Sequence, residues 1–390
     1  MRIYEHVPQE IGEVLPFRNA LFTSVSRAHW EAMNCTAVVA REGDELVGFI
    51  PLQYREQCLN ARVSIPVVYE NAVGVAEGKR GQGIGSQMIE EAARFVSDRA
   101  DALMVVRGGE RSDGYRFYRR TGHGDLMYAH WYRLPPEVSW PPGDAEGISV
   151  LDRERWLALE PDLLALHERQ YGRFGGGQLR GPGYWRSILE GHVLRENKWW
   201  FLTLTPEGRL AGYLVAVQGT WRPSEDVYVY EAVGEDEGVL ERLIRYARGF
   251  AANAIFGAAL VSKANPIRAL LRRMGFIEEE STPHVMARIL RPDRIFSRLA
   301  AGSDLPRTLS LTLSTPHRTV VVNDPPDPQY VVRLETKENL LSRLFCCRLD
   351  LAAALDMELV RWSERDPGLE RELCRVFEFA EWVQWFTDFV

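Results

Sequence analysis

Long apolar segments, signal-peptide features and excess positive charge are all missing from this sequence of 390 residues. No apolar run approaches the roughly 18 residues that a membrane-spanning helix needs. The opening residues do not have the pattern of a secretory signal. A net charge of −7 argues against nucleic acid as a main partner. We therefore expect a cytoplasmic protein with neither a membrane nor a nucleic acid among its partners.

The cysteine and histidine patterns of metal sites are also missing. The five cysteines are an odd number without CxxC spacing, which favours reduced, mostly buried thiols. The eight histidines form no HxxxH or HExxH pair, so no metal site is expected. The remaining composition, 46% hydrophobic and 26% charged residues, is typical of a globular protein. A chain of this length can form two or three domains.

The first part of the chain alternates strand and helix patterns. Residues 18–33 have the apolar periodicity of a helix, and residues 36–56 predict a hairpin that turns at Gly43 and Asp44. Further strands are predicted at 67–76, 100–106 and 126–134, and further helices at 83–99 and 112–122. A Pro- and Gly-rich linker follows at 135–147.

The middle of the chain repeats this order of elements. The phrase GRLAGYLVAVQG resembles DELVGFIPLQY of the first hairpin, and NPIRALLRRMGF resembles DGYRFYRRTGHG. A strand and a long helix at 227–251 lie between them, as in the first part. The preserved order predicts a duplicated α/β unit.

The last part begins near Pro292 and has a different pattern. Residues 308–315, 318–324 and 330–336 alternate like antiparallel strands, and three short helices are predicted after them. The predicted fold class is therefore α/β (α+β), with two mixed-sheet domains followed by a smaller α+β domain. The expected boundaries are 1–140, 141–291 and 292–390.

The stretch GKRGQGIGSQ, residues 78–87, places four glycines and two adjacent cations between a strand and a helix. Glycine lets the backbone approach a ligand closely, and a helix N-terminus offers free N–H donors and a positive dipole end. Together they predict a cradle for a phosphate-bearing cofactor. No Walker A string occurs, and Gly81, Gly83 and Gly85 do not fit the dinucleotide fingerprint GxGxxG.

The stretch does fit R-x-x-G-x-G, with Arg80, Gly83 and Gly85, and an FYRRTG phrase follows at 117–122. In this it resembles the GNAT family of acetyl-CoA-dependent N-acyltransferases. Two such blocks before a sterol-carrier-protein-like domain resemble the Eis-like (enhanced intracellular survival) acetyltransferases. The phrases QLRGPGYWRSIL in the middle block and LDLAAALDMELVRWSERDPGLERELCRVF near the end are similar to that group.

The resemblance implies acetyl-CoA as co-substrate and no metal. It assigns backbone contacts with the pantetheine arm to Ala72, Val73, Gly74 and Val75. It assigns the pyrophosphate loop to Arg80, Gly81, Gln82, Gly83, Ile84, Gly85 and Ser86. It also implies a homo-oligomer, often a hexamer.

Tyr118 is the residue that the resemblance places near the coenzyme sulfur. A phenol with a pKa of about 10 can donate a proton to the departing thiolate. Tyr115, three residues earlier and on the same helix face, is the nearest competitor. The expected reaction is direct attack, because no Cys or Ser occupies an obvious nucleophile position.

The resemblance also implies that the C-terminal carboxylate, here that of Val390, acts as the base. An α-carboxyl group has an ordinary pKa of about 3.5, so burial would have to raise it. Phe386 and Phe389 could supply the apolar surroundings. Asp388 and Glu381 are alternative carboxylates for holding a cationic amine.

The middle block has lost the cofactor loop and is expected to be non-catalytic. Gly234 and Gly238 are too far apart, and the acidic run 235–237 would repel pyrophosphate. Leu271 stands where the first block has Tyr118. The glycine-rich stretch at 170–178 follows a helix without opening one, and we interpret it as a loop.

The predicted function is acetyl-CoA-dependent N-acetylation of a primary amine in a small molecule or a peptide. Aminoglycoside-like, polyamine-like and lysine-like amines are all candidates, and a wide, open cleft would favour acetylation of protein lysines or N-termini. The alternative is a protein that binds lipids or other hydrophobic molecules through its last domain.

Overall fold

The computed structural model describes residues 1–6, 11–22, 27–32, 35–70, 73–106, 110, 112–140, 145–190, 198–219, 225–251, 254–316, 318–362 and 365–389. These residues fall into two compact units. Unit one takes its residues from 1–24, 34–127 and 283–381, and unit two from 25–33, 128–282 and 382–390. The three predicted domain boundaries stay a prediction.

The strands, in chain order, are β1 (Arg2–Glu5), β2 (Cys35–Glu42), β3 (Glu45–Cys58), β4 (Ser64–Glu70), β5 (Gly74–Val75), β6 (Ala102–Val106), β7 (Gly124–Arg133), β8 (Ile148–Leu151), β9 (Lys198–Leu204), β10 (Gly212–Gln218), β11 (Val227–Gly234), β12 (Phe256–Val261), β13 (Ile277–Ile289), β14 (Leu309–Ser314), β15 (Thr319–Asn323), β16 (Tyr330–Thr336), β17 (Val360–Trp362) and β18 (Gln384–Trp385).

The helices, numbered in the same way, are α1 (Ile11–Leu21), α2 (Arg27–Ala32), α3 (Ile84–Val96), α4 (Asp113–Arg120), α5 (Arg153–Ala158), α6 (Glu160–Tyr171), α7 (Tyr184–Glu190), α8 (Glu237–Ala247), α9 (Ile267–Arg273), α10 (Pro292–Leu299), α11 (Glu338–Phe345), α12 (Leu351–Asp356) and α13 (Pro367–Val376). The single helix expected at 18–33 is wrong, because α1 and α2 are separate and belong to different units. Within the described ranges, no helix is both long and apolar enough to cross a bilayer.

The main sheet of unit one is mixed. Strands β1 to β4 are antiparallel neighbours, and the hairpin predicted at 36–56 is confirmed as β2 and β3. Strand β4 pairs in parallel with β6 through Val67, Val68 and Tyr69. A parallel pair requires a crossover connection, and α3 provides it. The apolar face of α3 packs into one buried cluster with residues of β2, β3, β4 and β6, as its helical periodicity predicts.

Unit two repeats this order of strands. Strands β9, β10 and β11 are antiparallel neighbours, and β11 pairs in parallel with β12. Helix α8 is the crossover, and α9 follows β12 as α4 follows β6. The repeated order of elements and the mixed α/β fold class are confirmed.

A second sheet in unit one has the order β15-β14-β16-β17. The hairpin of β14 and β15 is antiparallel as predicted, but β14 and β16 are parallel, so the antiparallel prediction is wrong for that pair. The antiparallel pattern would require β16 to pair with β15, but β16 pairs with β14, on the edge opposite β15, and runs in the same direction as β14. Strand β17 was not predicted.

Residues 382–388 are part of the interior of unit two. Strand β18 pairs with β12, and Trp382 bridges to Gly175. Trp382 and Trp385 are buried. Gly176 has a φ of +86°, and a Cβ on it would lie 2.6 Å from the Cβ of Trp382. The glycine-rich stretch at 170–178 is therefore a loop after α6, as predicted, and Trp382 packs on it.

We expect Gly176→Ala to destabilise unit two, because it adds overpacking of about 1–3 kcal/mol to the strain of a left-handed alanine. Gly183→Ala is the matched control, since Gly183 has a φ of +87° and an added Cβ would meet nothing within 4 Å. Urea denaturation should show a clearly larger loss of unfolding free energy for Gly176→Ala. Equal losses would contradict the packing role.

Candidate active site

The glycine-rich stretch turns the chain from β5 into α3. Gly81 and Gly83 have φ values of +78° and +79°, a backbone region that side chains other than glycine rarely adopt. Gly83 is the N-cap residue of α3. An added Cβ at Gly81 would meet nothing within 4 Å, and at Gly83 only the tip of Gln87 at 3.9 Å. The left-handed turns therefore leave open space around the backbone.

The start of α3 keeps its backbone donors available. Among the described residues, no side chain caps this helix, and its first turn contains no acidic residue. Ser86 and Arg80 are exposed at this position, and the Arg80 Nε donates to the Val75 carbonyl oxygen at 3.2 Å. Free N–H groups, the helix dipole and a nearby guanidinium are the elements of an anion site.

The same loop lies against the helix that carries Tyr118. A Cβ on Gly85 would be 3.3 Å from the Phe117 ring and 3.7 Å from the Val73 side chain. Gly74 has a packing role as well, because a Cβ there would be 2.7 Å from Leu21. Unit one thus brings together the predicted residues Val73 to Val75, Arg80 to Ser86, and Tyr118.

The corresponding helix in unit two starts differently. Asp236 is the N-cap of α8, and its carboxylate accepts the Val239 N–H at 2.9 Å. Glu237 adds a second negative charge in the first turn. Glu235 pairs with Arg209. The helix start that could attract a phosphate is thus occupied by the chain's own carboxylate. Leu271 is buried at the position that matches Tyr118.

Tyr118 lies on α4 and is completely buried. Its ring belongs to the same cluster as Ile84 and Met88 of α3. Tyr115 differs, because its hydroxyl donates to Asp125 at 2.9 Å and it is only partly buried. Tyr115 therefore has a structural partner at the surface side of the helix.

The structure places a basic side chain beside Tyr118 and an acidic side chain beside that basic one, and sequence reasoning missed both. The His123 ring meets the Tyr118 ring edge-on at 5.1 Å, and its Nε2 lies 3.6 Å from Glu70 Oε1. Both side chains are fully buried. The His123 Nδ1 is 3.2 Å from the Thr121 hydroxyl. Within the described residues, neither Glu70 oxygen has a hydrogen-bond partner, which is costly for a buried carboxylate.

Glu70 is the last residue of β4, where the parallel pairing with β6 stops at Tyr69 and Met104. His123 follows α4 directly. The only sequence signal for Glu70 was an acidic residue within an apolar strand. An open pocket of about 350 Å³ lies next to His123, and Arg119, Lys337 and Asn339 also line it.

The other residues named from the sequence are Ala72 and three candidates for the base or for holding the amine, namely Val390, Asp388 and Glu381. Ala72 and Val390 lie outside the described residues. Asp388 is buried in unit two, where its Oδ1 accepts from Arg180 at 3.0 Å and Tyr184 at 2.8 Å. Glu381 is exposed and belongs to unit one. Asp388 is therefore a structural carboxylate.

A glycine-lined helix start between two parallel strands of a mixed sheet is the arrangement that the resemblance to GNAT acyltransferases predicts. In agreement, residues 7–123 match the acetyltransferase (GNAT) family. The predicted enzyme class is confirmed, and enzymes of this family use acetyl-CoA as co-substrate. No curated protein matches the chain significantly by sequence.

Solved structures resemble the fold over nearly the whole length. A conserved protein of Enterococcus faecalis has a TM-score of 0.72 and 12% identity, with 98% of each chain covered. A GCN5-related N-acetyltransferase from Kribbella flavida has a TM-score of 0.67 and 17% identity, covering 98% of this chain and 99% of that one. Eis1 from Mycobacterium abscessus has a TM-score of 0.62 and 16% identity, with 98% of each chain covered.

At these low identities, the similarities to solved structures establish the fold and not an activity.

The described part of the chain holds no cluster of three or more His, Cys, Asp and Glu side chains arranged for a metal ion.

We expect Gly83→Ala to weaken acetyl-CoA binding, because the new methyl group would occupy the space where the backbone faces the ligand. Gly43→Ala is the matched control: Gly43 has a φ of +60°, nothing lies within 4 Å, and the residue is in the β2–β3 turn. Calorimetry should show at least a tenfold loss of affinity for Gly83→Ala only. Equal affinities in the two variants would contradict the assignment of the loop.

Proposed function

We propose that the protein transfers the acetyl group of acetyl-CoA to a primary amine by direct attack. The observation that carries this proposal is the uncapped, glycine-lined start of α3 against the helix of Tyr118, where a Cβ on Gly85 would touch Phe117. The anion site at the start of α3 suits the phosphate end of acetyl-CoA, and the phenol of Tyr118 suits its thioester end.

The loop residues would hold the co-substrate. The N–H groups of residues 81–86 and the Arg80 guanidinium would bind the pyrophosphate, and the backbone of Ala72 to Val75 would bind the pantetheine arm. Acetyl-CoA supplies the acetyl group as a thioester. The geometry fits because the positive φ at Gly81 and Gly83 leaves the backbone open there.

Tyr118 would act as the acid. The C–N bond forms as the C–S bond breaks, and the Tyr118 hydroxyl gives its proton to the departing thiolate. The phenolate regains a proton from the acylated nitrogen, so the products are an N-acetyl amine and free coenzyme A.

The base must first take a proton from the ammonium form of the amine. We assign this role to the terminal carboxylate of Val390. Glu70 is a second candidate, because its buried carboxylate lies beside His123, whose ring meets that of Tyr118. Asp388 is a poor candidate, since Arg180 and Tyr184 already donate to it.

The acceptor class we propose is aminoglycoside-like, polyamine-like or lysine-like. A negative net charge of −7 favours cationic acceptors. We also propose a cytoplasmic homo-oligomer with a sterol-carrier-like last domain at 292–390 and a non-catalytic middle domain at 141–291. Hydrophobe binding by the last domain has less support, because the family match at residues 7–123 is to acetyltransferases.

We expect Tyr118→Phe to lower kcat by about 10²-fold, the typical loss on removing a general acid. Tyr115→Phe is the control, since it removes only a hydroxyl bonded to Asp125. Thiol release from acetyl-CoA should be measured against aminoglycosides, polyamines and lysine peptides. Turnover with none of these amines, together with no acetyl-CoA binding by calorimetry, would overturn the proposed function.

We expect addition of Gly-Ser after Val390 to lower kcat by about 10²-fold, because the carboxylate is displaced from the proton that it accepts. Glu70→Gln, which keeps the shape of the side chain without its charge, tests the competing base in the same assay. A large loss for Glu70→Gln and none for the extended chain would transfer the role of base to Glu70.

A further inference from the structure

The open pocket beside His123 lies wholly within unit one, between the end of α4 and the start of α11. The α4 side contributes Arg119, Gly122 and His123, and the other side contributes Pro316 and residues 337–339. The two sides are closely packed, because a Cβ on Gly124 would be 2.5 Å from the Asn339 carbonyl oxygen. The roles proposed for the α3 loop and for Tyr118 leave this pocket unused.

Arg119 brings a guanidinium with a spare donor to the pocket. Its Nη1 lies 3.8 Å from Asp125 Oδ2, which is too far for a hydrogen bond. That carboxylate oxygen accepts instead from the Tyr115 hydroxyl at 2.9 Å. The Arg119 Nη1 is buried and has no hydrogen-bond partner within the described residues. A buried donor without an acceptor is costly, so an acceptor oxygen supplied by a ligand would be favourable there.

Lys337 supplies a second positive charge from the other side. It is the N-cap residue of α11, and no described side chain caps that helix start, so the positive end of the helix dipole adds to its charge. No described carboxylate pairs with Lys337. Glu338 also lines the pocket, but its Oε2 accepts from the Thr315 hydroxyl at 2.8 Å and its Oε1 accepts from the Arg318 Nε at 2.9 Å.

His123 is a third basic group of the pocket lining, and its side chain is fully buried. The Thr121 hydroxyl donates its one hydrogen to the Tyr118 carbonyl oxygen at 3.0 Å, so it accepts at 3.2 Å from the His123 Nδ1–H. The second proton of the ring therefore belongs to Nε2. Among the described residues Nε2 has no hydrogen-bond partner, and Glu70 Oε1 is 3.6 Å away.

The charges around the pocket favour an anion. Before His123 and Glu70 are counted, three cations face two carboxylates, which leaves one positive charge: Arg119, Lys337 and Arg318 against Asp125 and Glu338. A negative group in the pocket would also favour the charged imidazolium form of His123. The volume of about 350 Å³ lies at the small end of the range of ligand sites, which suits a small molecule.

We propose that this pocket binds the phosphate or carboxylate group of a small anionic molecule. The planar guanidinium of Arg119 matches the oxygens of such a group, and Lys337 acts as a point charge. His123 stands at the buried end, where its ring also meets that of Tyr118. The site is separate from acetyl transfer, so its occupation can be measured whether or not the enzyme turns over.

The test is calorimetric titration with two probes, inorganic phosphate and malonate. Arg119→Gln and Lys337→Gln each remove one cation from the pocket. Arg120→Gln on α4 and Arg343→Gln on α11 are matched controls, because both side chains are exposed on the same helices and neither lines the pocket. We expect at least tenfold weaker binding in each pocket variant, the typical loss of a charge-assisted hydrogen bond, and wild-type affinity in both controls. Equal losses in all four variants would overturn the pocket in favour of general surface charge.

Two further measurements locate the bound anion. Gly83→Ala changes the α3 loop and should leave the affinity for phosphate unchanged. A loss in Gly83→Ala with none in the pocket variants would assign the anion to α3 and overturn the proposal. In the histidine-labelled protein, either probe should shift the NMR signal that is missing from His123→Gln. Binding that leaves this signal in place, or no binding of either probe at about 10 mM, where a site with a Kd of about 1 mM would be mostly filled, would also overturn it. The probe that binds more tightly identifies the anionic group.

Discussion

The parallel pairing of β4 with β6 is the constraint on which the candidate site depends. Parallel neighbours cannot be joined by a tight turn, so the chain must cross over through a helix. That helix, α3, begins beyond the end of β4, and the glycine-rich turn makes this start possible. Helix α4 follows β6 from the same end of the pair. The loop, Tyr118 and Glu70 are therefore brought together by strand order.

Unit two also contains a parallel strand pair joined by a crossover helix, but the start of that helix differs from the start of α3. Its parallel pair, crossover helix and following helix have the same succession, but Asp236 satisfies the helix start from within the chain. A fold alone does not specify a function. The difference between the units is whether the first N–H groups of a helix face a carboxylate of the protein or stay available to a ligand.

Local patterns were sufficient to predict the loop, the position of Tyr118 and the repeated order of elements. Periodicity and glycine spacing act over a few residues, so they can be recognised in the sequence. The pair of Glu70 and His123 could not be predicted, because two ordinary-looking residues meet only after β4 and α4 are packed. Arg180 lies in a phrase that sequence analysis singled out, but its bond to Asp388 spans 208 positions of the chain. The parallel pair of β14 and β16 likewise depends on β16 pairing with β14 and not with its neighbour in the chain, β15.

The membership of residues 382–389 in unit two has a consequence for biosynthesis. The rest of that unit is complete at residue 282, but its interior still lacks Trp382, Trp385 and Asp388. At about 5–20 residues per second, the ribosome needs roughly 5–20 s to make the intervening segment. During that time Arg180 and Glu231 lack one of their partners, and the surface that receives the two tryptophans is open. A chain that stops before residue 382 never acquires these residues, so its unit two stays accessible to chaperones and proteases.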